Sequence, residues 1–322
     1  MKADMFMQER HKRAIWWLVI TWLLLIMGGC SAEQHFPQTN QKVQVVATIA
    51  PLSYFVQRVG GNHVAVSVMV PAGGNPHTYE PSPKQLAQLA KTTLMVGAGS
   101  GVAFELDWMR RLLELNKQLR FCKAAEGVTF RKMAAHNHHA GNAHTEHDAE
   151  EEFDPHYWLS PANGIVITQN VAKALASTDP AHKAEYEANA ATLTAEYQAL
   201  EAELRAQLAP LKPRRFLVFH PAWGYYANAF GLEQLSLEVE GKTLTPRQME
   251  RVITFAREQN IRTLFISPQF NTMQAATIAN DIQGTTVTVD PLSVDYQQNL
   301  RQATKAFVQA MQVIQGAMGL HH

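Results

Sequence analysis

The feature that most constrains the fold is one long run with no helix breaker. From residue 181 to 208 the chain reads AHKAEYEANAATLTAEYQALEAELRAQL, without Gly or Pro and dense in Ala, Glu and Leu, which are strong helix formers. Asp179 offers an N-cap and Pro180 a first helical residue. Pro210 ends the run. At 1.5 Å per residue such a helix is roughly 43 Å long, enough to cross a whole molecule. Residues 179–209 are therefore expected to form a linking helix, with folded structure on either side.

Both flanks alternate β-branched runs with helical ones. Before the long helix, VQVVATIA (43–50), HVAVSVMV and TLMVGAG read as strands. Between and after them, PLSYFVQRVGG, a helix from Ser82-Pro83 to about Lys91, another over roughly 104–117 and one over 162–177 read as helices. Beyond Pro213, RFLVFH, LEQLSLEV, TLFISP and TVTVD are strand-like. AWGYYANAFG, TPRQMERVITFAREQN, NTMQAATIANDI and residues 296–315 follow them as helices. Strands alternating with helices imply a mostly parallel sheet covered on both faces. The expected class is α/β: two (β/α) lobes, residues 43–178 and 210–322, joined by one long rigid helix. Residues 131–153 interrupt the pattern with a His-, Asn- and Glu-rich stretch almost free of apolar side chains. They read as a long loop.

The first thirty residues read as an address. Lys2, Arg10, Lys12 and Arg13 precede the apolar run AIWWLVITWLLLIM, which is short for a membrane span and has the length of a signal-peptide core. Gly28-Gly29-Cys30 follows and is similar to the lipobox of bacterial lipoproteins. Residues 1–29 are expected to be a signal peptide, Cys30 the lipidated residue and 30–42 a polar tether. The protein is then exported to the periplasm or outer cell surface and anchored to a bacterial membrane. The only other cysteine is Cys122, which excludes a disulfide framework and a Cys-rich zinc finger. A net charge of zero gives no footprint for nucleic acid.

Four places set a potential metal ligand beside a proline: Asn75-Pro76-His77, Asp154-Pro155-His156, His220-Pro221 and Asp290-Pro291. His77, His220 and Asp290 fall at or just past a strand end, the edge at which α/β sheets bind ligands. Proline stiffens these loops. Imidazole suits zinc, copper, nickel and iron, whereas carboxylate suits manganese and magnesium. Three His and one Asp can close a tetrahedral zinc site with no place for a reactive water. No H-E-x-x-H, G-x-S-x-G or phosphate-binding loop is present. His136, His138, His139, His144 and His147, followed by Asp148 and Glu150 to Glu152, suggest a weak auxiliary metal-collecting loop.

NPHTYEPSP, DPHYWLSP, HPAWGYYANAFGL and VDPL resemble the signature segments of the zinc/manganese solute-binding proteins of ABC transporters (cluster A-I, or cluster 9). The likeness runs in order along nearly the whole mature chain. It implies two lobes with a metal in the cleft between them, held by His77, His156, His220 and Asp290. It also implies a membrane permease with its cytoplasmic ATPase as partner, a monomeric receptor and no catalysis. Manganese members usually carry Glu at the third ligand position, so His220 points to Zn(II) as the transported ligand before Mn(II). The His-rich segment is similar to the variable His/Asp/Glu loop of zinc-specific members. Other readings are a manganese or iron receptor, a secreted zinc hydrolase using the same histidines, and an adhesin.

Overall fold

A computed structural model describes residues 41–133, 153–212, 214–237, 245–270, 273–317 and 319. The expected signal peptide, Cys30 and the five loop histidines lie outside these residues. The described residues from Lys42 onward form one compact unit, built on two four-stranded sheets.

The first sheet contains β1 (Val43–Ile49), β2 (Val64–Val70), β3 (Leu94–Gly97) and β4 (Arg120–Lys123), in the order β2-β1-β3-β4 and all parallel. The second contains β5 (Arg215–Val218), β6 (Glu233–Ser236), β7 (Thr263–Ile266) and β8 (Thr285–Thr288), in the equivalent order β6-β5-β7-β8, again parallel. The α/β class with two parallel-sheet lobes thus holds. In each sheet the chain runs outward from a central strand and then returns to its other side. That reversal opens a crevice at the carboxyl ends of the two central strands.

Strands buried on both faces need side chains that are apolar on both faces. Val45 to Ile49 of β1 and all of β3 are buried. β4, with the sequence RFCK, hides only Cys122. It is an edge strand without a periodic apolar pattern, which is why the sequence suggested three strands in this lobe and the structure has four.

The helices of the first half are α1 (Ala50–Gly60), α2 (Pro83–Leu89), α3 (Ala103–Leu115) and α4 (Pro161–Thr178). α2 begins with a capping box in which Ser82 and Gln85 satisfy each other's backbone N–H groups. The long helix α5 spans Lys183–Leu208, about 39 Å at the standard rise. It starts later than the cap residues suggested. Pro180–His182 form a 3-10 turn, and the Asp179 carboxylate is taken by His182 and the Tyr186 hydroxyl rather than by a backbone N–H. α5 buries Tyr186, Ala190, Leu193, Tyr197, Leu200, Leu204 and Leu208, a stripe at spacings of three or four residues.

In the second half the helices are α6 (Gly224–Phe230), α7 (Pro246–Glu258), α8 (Met273–Asp281) and α9 (Tyr296–Ala317). α6 ends at Gly231, whose φ of 63° is the left-handed cap that glycine adopts without a Cβ clash. The stripe of α5 packs on α1 and α4 on one side and α9 on the other. Glu196 of α5 accepts from Arg58 of α1 at 2.7 Å and from Gln297 of α9 at 2.6 Å. Phe55, Tyr197 and Tyr296 form an aromatic cluster with ring centroids 4.9–5.8 Å apart. The main apolar core therefore runs without a break from the first sheet through α5 to Phe216, Trp223 and Phe307 of the second half. A smaller cluster around Leu217, Ile261 and Ile278 backs the second sheet. Among the described residues, no helix is long and apolar enough to cross a membrane.

Candidate metal centre

His220 lies two residues past β5, one of the two central strands of the second sheet. Phe270 lies four residues past β7, the other. The rings stack with centroids 4.3 Å apart, so they meet at the crevice that the strand order creates. His220 is 7% exposed, and the Ala222 N–H donates to its carbonyl at 2.9 Å to close the His-Pro-Ala turn.

His156 arrives from the first lobe. Its side chain is 12% exposed, and its Nε2 stands 3.3 Å from Nε2 of His220. Its other ring nitrogen is committed. Nδ1 lies 2.9 Å from Oδ1 of Asp154, and that oxygen also accepts the His156 backbone N–H at 3.0 Å. A carboxylate can only accept from Nδ1–H, so the neutral ring presents the Nε2 lone pair to the crevice. Arg131 donates to the second Asp154 oxygen at 2.7 Å. The Asp154 side chain has 0% exposure. Burial alone would raise its pKa, but the hydrogen bond and charge of His156, the backbone N–H and Arg131 together hold it below the ordinary carboxylate value.

This array spans the two lobes. The Arg131 backbone N–H donates to the Tyr225 hydroxyl at 3.0 Å, and its guanidinium lies 5.7 Å over the Tyr225 ring. Gly224 makes room for it, since a Cβ there would come within 1.6 Å of Arg131 Nη1 and 2.5 Å of Asp154 Oδ2. Behind His156, the Ser100 hydroxyl donates to the Pro155 carbonyl at 2.7 Å, and Trp158 Nε1 donates to the Pro291 carbonyl at 2.8 Å. The loop that carries His156 is thereby tied to the loop that carries Asp290.

Asp290 follows β8 by two residues. Its Oδ1 accepts from Gln269 Nε2 at 2.6 Å and from the Leu292 N–H at 2.9 Å. Asn299 donates to its carbonyl at 2.7 Å. His77 is exposed, in a turn where Asn75 Oδ1 accepts the His77 N–H at 2.9 Å. Its ring centroid is 5.9 Å from that of His220 and 6.0 Å from that of Phe270.

The structure therefore brings His156 and His220 into direct contact and His77 alongside them. Among the described residues, no group of three or more His, Cys, Asp or Glu stands in a geometry that could hold a metal ion. The donor pair nevertheless has the right span for one. Two nitrogens about 2.05 Å from a tetrahedral zinc stand about 3.3–3.4 Å apart, matching the 3.3 Å between the two Nε2 atoms. Sequence reasoning did not single out Arg131, Gln269 or Phe270, and it named Asp154 as part of the Asp154-Pro155-His156 segment without its role of orienting His156. Only Asp154 left a signal, a carboxylate two residues before a histidine.

Residues 45–310 match the family described as ZnuA, "Zinc-uptake complex component A periplasmic". A crystal structure of ZnuA superposes with a TM-score of 0.77 and 35% identity, over 84% of this chain and 99% of that one. A zinc-bound ZnuA carrying a deletion of its residues 138–173 gives a TM-score of 0.76 at 35% identity, over 84% of this chain and 98% of that one. A putative metal-binding protein of Treponema pallidum is 29% identical over 83% of this chain and 85% of its own length. The zinc-binding protein AdcA of Streptococcus pyogenes serotype M3 is 25% identical over 78% of this chain, which spans about half, 50%, of that longer relative. The chain belongs to the ZnuA family of periplasmic zinc-uptake components.

Proposed function

We propose that this protein is the extracytoplasmic receptor of an ABC importer, capturing Zn(II) in the crevice and delivering it to a membrane permease driven by a cytoplasmic ATPase. The observation that carries the reading is the pair of inward-facing nitrogens, His156 Nε2 and His220 Nε2, 3.3 Å apart and contributed by different lobes. An ion taken between them replaces one hydrogen bond with two coordinate bonds and links the lobes. His77 and Asp290 complete a set of three nitrogens and one oxygen. That set suits zinc better than manganese, and it leaves no open position for a reactive water, which supports binding without turnover.

Asp154 holds His156 in the ligating tautomer. α5, fixed to both halves, favours small movements of the ligand loops over wide opening of the lobes. Cys30 is the proposed lipid anchor, residues 43–178 and 210–322 the two lobes, and His136, His138, His139, His144 and His147 a weaker collecting site. The receptor is proposed to act as a monomer.

The test is metal content after purification without added metal, followed by zinc and manganese titrations in competition with a chelator. One tightly held zinc per chain, lost in H156A and H220A, is expected. Tighter binding of manganese than of zinc, or zinc binding unchanged in both variants, would overturn the proposal.

A further inference from the structure

We infer that Gln269 is a specificity-determining residue of this site: it occupies one oxygen of Asp290 and so confines that carboxylate to one-oxygen coordination. The inference rests on the proposed role of Asp290 as a ligand. It concerns how that ligand binds.

Each carboxylate oxygen has two acceptor positions. On Asp290 Oδ1 both are filled, by Gln269 Nε2 at 2.6 Å and by the Leu292 N–H at 2.9 Å. Among the described residues no donor reaches Oδ2. One oxygen is consumed by the protein and the other is left for an ion.

The Gln269 amide is held in place for this task. The residue is 7% exposed, and its Oε1 is buried without a hydrogen-bond partner among the described residues. Turning the amide over would set Oε1 against Asp290 Oδ1, acceptor against acceptor, and strand the NH2 group instead. An unpaired buried acceptor carries a desolvation cost, so the orientation is kept for what its other end does. Gln269 also precedes Phe270, whose ring stacks on His220 at 4.3 Å. The segment thus braces two ligand-bearing loops at once.

Denticity matters because metals differ in the number of oxygens they take. Zinc is satisfied by four donors in a tetrahedron. Manganese favours oxygen ligands and six-coordinate geometry. A bidentate Asp290 would raise the donor count from four to five and add an oxygen. Blocking Oδ1 denies the site that step, so Gln269 selects against manganese.

The experiment uses the exported chain with Q269M, which keeps the volume and removes the amide, and Q269N, whose amide is one methylene short of Asp290. Zinc and manganese affinities are measured by chelator competition. The visible spectrum of the Co(II)-loaded protein reports coordination number. In the native protein Co(II) should give the intense bands of a four-coordinate ion. In both variants the bands should weaken toward five-coordinate, and the preference for zinc over manganese should fall about tenfold or more. Thermal melting of the metal-free variants checks folding, and either folded variant suffices. A native Co(II) spectrum with an unchanged zinc-to-manganese ratio in a folded variant would overturn the role of Gln269. D290A separates the two levels: if it leaves zinc affinity and the Co(II) spectrum untouched, the ligand assignment fails. If D290A weakens zinc but Q269M and Q269N do nothing, only the Gln269 inference falls.

Discussion

Replacing Asp154 by Ala should weaken zinc binding without removing any ligand. The side chain has 0% exposure and accepts three hydrogen bonds, from the His156 backbone, His156 Nδ1–H and Arg131. Its loss frees His156 to carry its proton on Nε2, where a proton and an ion compete, and lets the ring rotate. Outer partners of ligating histidines are worth about 10–100-fold in metal affinity, about 1.4–2.7 kcal/mol. The Arg131 side chain is 28% exposed, so its stranded guanidinium recovers some hydration, and the metal-free fold should lose only ~1–3 kcal/mol. D154N should fall between wild type and D154A, because its oxygen still serves His156 while its NH2 faces the Arg131 donor.

Chelator competition gives the affinities, urea unfolding the stabilities, and nitrogen-detected NMR the His156 tautomer. There is also a pH signature. Asp154 is held below its ordinary value of 3.8, so its stabilising contribution is complete above that pH and is lost as pH falls through the lowered value. D154A should therefore flatten the acid limb of the stability curve. Zinc affinity within twofold of wild type in D154A, with His156 still protonated on Nδ1, would refute the reasoning.

Three further outcomes follow from the same contacts. G224A places a methyl group 1.6 Å from Arg131 Nη1 and 2.5 Å from Asp154 Oδ2. It should cost about 1–3 kcal/mol of stability, as overpacking does, and weaken zinc in the same direction as D154A; unfolding and chelator titrations measure both. Burial pushes the Cys122 thiol up to about 12, helped by the Glu126 charge, so a disulfide reagent at pH 8 should label it only after denaturation. Deleting residues 134–150 should leave the fold and the tight site intact and abolish the weaker zinc-binding events seen by calorimetry. Lys132 and Phe153 already pair antiparallel, and the Asp154 N–H reaches the Arg131 carbonyl at 3.0 Å, so the three residues then left between that pair can close as a short hairpin loop.

Much of this was legible in the chain because it is written in local pattern. The breaker-free run marked α5, and continuous apolar segments marked β1, β2 and β3. A potential metal-binding side chain beside a proline past a strand end marked His220 and Asp290. What escaped either lacks an apolar period or depends on contacts chosen only as the chain packs. β4 hides one side chain of four, so no period betrays it. The start of α5 depended on Asp179 choosing His182 and Tyr186 over a backbone cap, a choice made by packing. Arg131, 23 residues before Asp154, and Gln269, 21 before Asp290, meet their partners only once the lobes are folded. No spacing rule could have named them. The proposed ligands were visible as residue types, whereas the groups that aim them became visible only with the fold.

Anomalous diffraction at the zinc edge from crystals of the zinc-loaded protein would locate the bound ion and its donors. One strong peak is expected in the crevice, within about 2.0–2.2 Å of His77, His156 and His220 nitrogens and a single oxygen of Asp290. A peak confined to the His136–His147 segment, with no zinc density between His156 and His220, would contradict binding in the crevice.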